Sequence, residues 1–175
     1  MLKQGNFKQS LESREKKSLA LKGRKLNKNH RMKIGVGNTQ NFEFEKLGEV
    51  KLSYIAGIID GEGSITMRKY HNRYLVRVKI GNTDYPLMDW LALKLKTHIR
   101  IIHKNYPRSK TFYHIQFTNN KATSLIKAIY KYLIVKKERA DLALNFHKNK
   151  FESYETQLGF KKRMLLLNHR GQKGE

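Results

Sequence analysis

The sequence contains no cysteine, which excludes disulfides and thiolate zinc sites. Acidic residues are scarce: 14 Asp and Glu stand against 37 Lys and Arg, a formal charge of +23 at pH 7 over 175 residues. Self-repulsion of this size destabilises a compact state unless a polyanion neutralises it, which points to nucleic acid as a partner. An anionic membrane is the rival, but no apolar run approaches the roughly 18 residues of a spanning helix. The Lys-rich start also lacks the apolar segment of a signal peptide. The expectation is an intracellular chain with no membrane partner, and on charge alone a basic ribosomal protein fits equally. The 39% hydrophobic content, with nine Tyr, eight Phe and one Trp, suffices for the core of one compact domain.

The charge is uneven. Residues 1–40 hold eleven Lys and Arg against Glu12 and Glu15, a net +9. Leu11, Leu19, Leu21, Leu26, Met32 and Ile34 are too few to close a core. Residues 1–46 therefore read as an extended basic N-terminal arm, with short helical turns around 10–21 and 28–34. The globular pattern, 47–175, opens with a helix over 51–61. Alternation predicts strands over 64–70 and 73–80 about a His71-Asn72 turn. Asp84 caps a second helix with Pro86 in its first turn and an apolar face of Leu87, Trp90, Leu91, Leu93 and Leu95. Strands over 98–104 and 111–118 follow. Asn119 or Asn120 starts a third helix through Leu125, Ile129 and Leu133, and further helices run from Lys136 and over 152–168. The fold class is α+β, in the order αββαββα with extra C-terminal helices. The 51–63 segment has no internal repeat.

That segment is the informative one: Tyr54-Ile55-Ala56-Gly57-Ile58-Ile59-Asp60-Gly61-Glu62-Gly63. On a helix, Ser53, Gly57 and Gly61 recur every four residues with Ala56 beside them, a stripe of small side chains. Glycine costs about 1 kcal/mol of helix propensity per site, and close approach of another helix backbone is the natural reason to accept that. Asp60 and Glu62 fall at the helix C-terminus, where the macrodipole disfavours negative charge and calls for a cation or a donor. An acidic, glycine-rich turn into a hairpin would carry the same residues.

The run resembles the LAGLIDADG motif of homing endonucleases, matching at Ala56, Gly57, Asp60 and Gly63, with Glu62 in place of the more usual Asp. The αββαββα order over about 47–170 matches that family's core as well. The resemblance implies a four-stranded antiparallel DNA-binding saddle and motif helices packed at a dimer interface through Ser53, Ala56, Gly57 and Asp60. It implies that Glu62 projects toward the scissile phosphates and binds Mg²⁺, with Mn²⁺ able to substitute, helped by the Gly61 carbonyl. Such hard oxygen donors suit Mg²⁺, which activates water for in-line attack. Lys136 matches the family's basic residue near the nucleophilic water, with Lys137 as the alternate. Asn82 aligns with a water-positioning residue, although Asn82-Thr83-Asp84 also reads as a helix cap. The Arg that some members carry just after this point is absent, Pro86 and Leu87 standing there.

Alternation turns Ile65, Met67, Val76, Val78, Ile80, Tyr113, Ile115 and Phe117 toward the helices. The opposite face carries Thr66, Arg68, Tyr70, Arg73, Arg77, Lys79, His114 and Gln116, with Arg100 and Lys104 sharing one face of the third strand. Such a face suits base reading in the major groove. In the arm, Lys22-Gly23-Arg24-Lys25 and His30-Arg31-Met32-Lys33-Ile34 are similar to the modular DNA-binding motif appended to homing nucleases, implying contacts by Lys22, Arg24, Lys25, Arg31 and Lys33. With a single motif per chain, the resemblance implies a homodimer on double-stranded, pseudo-palindromic DNA. An intron maturase that binds its host intron RNA through the same scaffold is the alternative.

Overall fold

The computed structural model describes residues 10–21, 42–102, 110–149 and 152–169. The chain divides into two units, Met1–Gln40 and Asn41–Glu175. In the first, α1 (Leu11–Leu21) carries an exposed Lys16–Glu12 pair at 2.8 Å. Lys22, Arg24, Lys25, Arg31 and Lys33 lie outside the described residues, as does Lys104.

The second unit opens earlier than the hydrophobic pattern suggests. Phe44 is buried, with Phe42 stacked 6.1 Å from it and Phe117 edge-on at 6.3 Å. Two aromatics in an otherwise polar stretch thus anchor the chain upstream of Leu47. A 3₁₀ turn (Phe44–Leu47) leads to Gly48, whose positive φ of 80° suits glycine. Then come α2 (Glu49–Glu62), β1 (Gly63–Tyr70), β2 (Arg73–Asn82), α3 (Tyr85–Lys94), β3 (Arg100–Ile102), β4 (Phe112–Thr118) and α4 (Asn119–Ile129). After a 3₁₀ turn, α5 (Lys137–Lys148) and α6 (Tyr154–His169) complete the unit. The αββαββα order and the two extra helices stand as expected.

The four strands form one antiparallel sheet in the order β1-β2-β4-β3. His71 adopts φ 50° in the β1–β2 turn. Alternation holds: Ile65, Met67, Val76, Val78, Ile80, Ile115 and Phe117 are buried beneath the helices and Tyr113 partly so. Asp84 caps α3 by accepting the Leu87 N–H at 2.7 Å. Leu93, expected on the inner face of α3, is instead 70% exposed. Met88, Leu91, Ala92 and Leu95, at helical spacing, fill the core there. Two polar side chains of α6 reach the outer strand β1, Lys161 Nζ donating to the Met67 carbonyl at 3.1 Å and Asn168 Nδ2 to that of Ile65 at 3.5 Å. Backbone groups at a sheet edge are thereby satisfied.

The junction from α2 into β1 is the tightest glycine site. A Cβ at Gly63 would lie 2.7 Å from both Cα and O of Ile59, all backbone, whereas at Gly57 it would meet nothing within 4 Å. Gly63→Ala should therefore destabilise the fold by about 1–3 kcal/mol. Gly57→Ala should instead stabilise an isolated protomer by up to about 1 kcal/mol through helix propensity. Urea unfolding at low protein concentration checks both, and similar shifts of the two midpoints would contradict this packing.

Candidate catalytic helix and nucleic-acid interface

Helix α2 has charge only at its ends: Glu49 and Lys51 at one, Asp60 and Glu62 at the other. Its inner face, Leu52, Ile55, Ala56 and Ile59, is buried in the protomer core. The other face is Val50, 82% exposed, with Ser53, Gly57 and Gly61 exposed and Tyr54 54% exposed beside Trp90. Ala56 therefore leaves the small-residue stripe: at about 100° per residue it falls one step behind Gly57, onto the core side. Ala56, fully buried next to Ile55, marks one edge of the core face, and Gly57, exposed, marks the edge of the opposite one.

The C-terminal end of α2 is tied to a distant loop. The Asp60 carboxylate accepts the backbone N–H groups of Ile134 (2.7 Å), Val135 (3.2 Å) and Lys136 (2.9 Å). In return Lys136 Nζ donates to the Asp60 carbonyl. Both partners of this clamp answer an electrostatic problem. N–H groups leading into α5 lack helical acceptors, as the last carbonyls of α2 lack helical donors. One negative side chain caps the first, and one positive side chain caps the second. Asp60, read from the sequence as an interface residue, is thus engaged within its own protomer.

Lys136 is consequently buried at the foot of α2. Burial pushes its ammonium below the usual lysine range; Asp60 opposes that shift, Arg139 reinforces it, and Glu62 opposes it in turn. Glu62 is exposed, and among the described residues no hydrogen bond or ion pair engages it. The helix end thus presents a free carboxylate close to a desolvated cation. The Ile59 carbonyl takes the Gly63 N–H, and the Gly61 carbonyl belongs to the same terminal turn. Asn82 Oδ1 accepts the Asp84 N–H at 3.0 Å, so this side chain helps shape the entry to α3.

The outer face of the sheet gathers the expected polar residues. Register pairs Thr66 with Arg77, Tyr70 with Arg73, Lys79 with Gln116, and His114 with both Gly81 and Arg100. Arg68, Tyr70, Arg73 and Arg100 are exposed; Arg77 is half-buried, its Nε donating to Thr66 Oγ1 at 3.2 Å. His114 is half-buried, its Nδ1 shielded from solvent and without a hydrogen-bond partner among the described residues. Neither the Asp60 clamp nor the shielded His114 had a sequence signal, because both depend on partners far along the chain.

The profile of the LAGLIDADG endonuclease family matches residues 55–150, more than half of the chain. Among solved structures, the fold is similar to a crystal structure of the homing endonuclease I-CvuI in complex with its target in the presence of 2 mM Ca. That match has a TM-score of 0.55 and 16% identity, covering 77% of this chain and 87% of the other. A second I-CvuI complex, with the I-CreI target and 2 mM Mg and its DNA not cleaved, gives 0.54 and 17% over 77% and 87%. No curated protein sequence matches.

Burial first, then Lys79 and Arg100, holds the His114 imidazole below its ordinary value of 6.5. The unfolded chain then binds the extra proton more readily, so the stability of the DNA-free protein should fall as pH drops through that value. His114→Gln should flatten this dependence between pH 7 and 5, measured by urea midpoints. An unchanged slope would contradict the shift. The match, from the second half of α2 through both hairpins, makes this chain a member of the LAGLIDADG endonuclease family.

Proposed function

We propose that the chain is a homodimeric, Mg²⁺-dependent homing endonuclease that cleaves both strands of a long, pseudo-palindromic DNA site by phosphodiester hydrolysis. One observation carries this reading: an exposed stripe of small residues, Ser53, Gly57 and Gly61, ends at the exposed carboxylate of Glu62, which has no partner among the described residues. Two such helices packed through the stripe bring two Glu62 carboxylates together over the centre of a duplex. Each protomer then lays its sheet along one half-site, with Thr66, Arg68, Tyr70, Arg73, Arg77, Lys79, Arg100, His114 and Gln116 toward the bases. The basic arm, residues 1–40, extends the footprint along the phosphates.

Among the described residues no three His, Asp or Glu side chains gather within one protomer to hold a metal. Glu62 and the Gly61 carbonyl instead offer a sparse set of hard oxygen donors. That set fits Mg²⁺, which keeps several waters and is commonly shared with phosphate oxygens; Mn²⁺, taking the same donors, would substitute. When bound, the metal supplies an acidified water and neutralises charge on the phosphate. Glu62 holds it. Lys136, fixed by Asp60, places a second positive charge beside that carboxylate. Asn82, its Oδ1 committed to the turn, retains an amide NH₂ to orient water. A splicing role on host intron RNA would give no reason for the carboxylate at position 62.

Glu62→Gln should reduce cleavage at least a hundredfold while DNA affinity changes less than about threefold, because affinity derives mainly from phosphate contacts. Gel-shift and cleavage assays with Mg²⁺, on a duplex recovered from a randomised library, check this. Cleavage at the wild-type rate would remove Glu62 from the site.

A further inference from the structure

One part of the outer sheet face is not polar. Phe112 of β4 pairs with Ile102 of β3, in the same alternation as the neighbouring pair His114 and Arg100. The Phe112 ring lies over Gly81: a Cβ there would meet its Cζ at 2.5 Å and its Cε1 at 2.8 Å. Since Gly81 lies opposite His114, the added Cβ would point to the outer face, which places the ring there too. Lys79 Nζ stands 6.0 Å from the ring centroid. Ile102 remains 37% exposed.

The register also locates this pair. Gly63, which follows Glu62, lies opposite Ile80, and Asn82, two residues on, lies opposite Tyr113, the neighbour of Phe112. Phe112 and Ile102 therefore mark the end of the sheet nearest Glu62, and Tyr70 and Arg73 mark the far end. Lys79, Arg100 and His114 border the apolar pair, so its occupant belongs to a polyanion. The apolar group that a DNA major groove presents is the C5-methyl of thymine.

We infer that Phe112 and Ile102 read a thymine methyl at the centre-proximal end of each half-site, an inference that rests on the endonuclease reading above. Lys79 and Arg100 supply cations beside the methyl and fix the register of the backbone. Gly81 makes room for the ring.

The test replaces thymines by uracil, which removes the methyl and leaves every Watson–Crick hydrogen bond. Duplexes bound by the full chain are selected from a randomised library, and each thymine of the recovered site is then changed singly to dU. One centre-proximal dU per half-site should weaken wild-type binding roughly fourfold, the factor expected for one methyl-sized group returned to water. The variants Phe112→Ser and Ile102→Ser should bind the dT and dU duplexes equally. Ile102 is exposed, so its variant keeps the test valid if loss of Phe112 impairs folding. A recovered site whose dU series shows no centre-proximal loss would overturn the inference alone. So would a loss that persists undiminished in both variants. Selection that recovers no duplex would overturn the endonuclease reading, and the inference with it.

Discussion

Helix α2 carries two faces poor in polar groups, and one protomer covers only one of them. Leu52, Ile55, Ala56 and Ile59 are spent on the protomer core. Val50, Ser53, Tyr54, Gly57 and Gly61 remain at the surface with no charge among them. A helix apolar all round is ordinarily a buried helix. Its small residues, which add no side-chain bulk, are suited to contact with another backbone rather than with solvent. Much of the remaining architecture follows from that helix. Gly63, against the Ile59 backbone, turns its end directly into β1, so the position of the helix sets the position of the sheet. Asp60 fixes the loop before α5, and with it Lys136. The exposed small-residue face, the Glu62 carboxylate and the polar outer face of the sheet are thus coupled through about fourteen residues of helix.

Electrostatics gives the same helix end its chemistry. A carboxylate at a helix C-terminus opposes the macrodipole. Asp60 escapes that cost by accepting three backbone N–H groups. Glu62, with no such donors among the described residues, retains its appetite for a cation. The sheet presents the complementary problem, with Lys79, Arg100 and His114 crowded on one face and the His114 imidazole held toward its neutral form. On the proposed reading, phosphates would relieve both, bringing oxygen ligands to a metal held by Glu62 and counter-charge to the sheet. In this sense the +23 charge is local design as well as bulk attraction.

Most of the element order was legible in the sequence because period-two and helical patterns are local. The two hairpins, the Asp84 cap and the αββαββα order come directly from that periodicity. The packed unit starts before Leu47 because Phe42 and Phe44 fit gaps made by residues far away, which no local period announces. Leu93 and Ala56 were misplaced for a related reason. Hydrophobicity and size suggested each position, but helix phase decides it. In the candidate site, the motif gave Glu62 and the exposed glycines. It gave no account of Asp60, whose partners lie 74 to 76 residues away. Phe112 and Gly81 form a pair only once the strand register is known.

The decisive quantity is the number of chains on a cleaved duplex. Sedimentation velocity of the full chain, titrated onto a duplex it cuts, with Ca²⁺ replacing Mg²⁺ to hold the complex, reads that number directly. The account predicts two chains per duplex at saturation, because each protomer brings one α2 and one Glu62. A single chain per duplex under conditions where both strands are cut on restoring Mg²⁺ would contradict it.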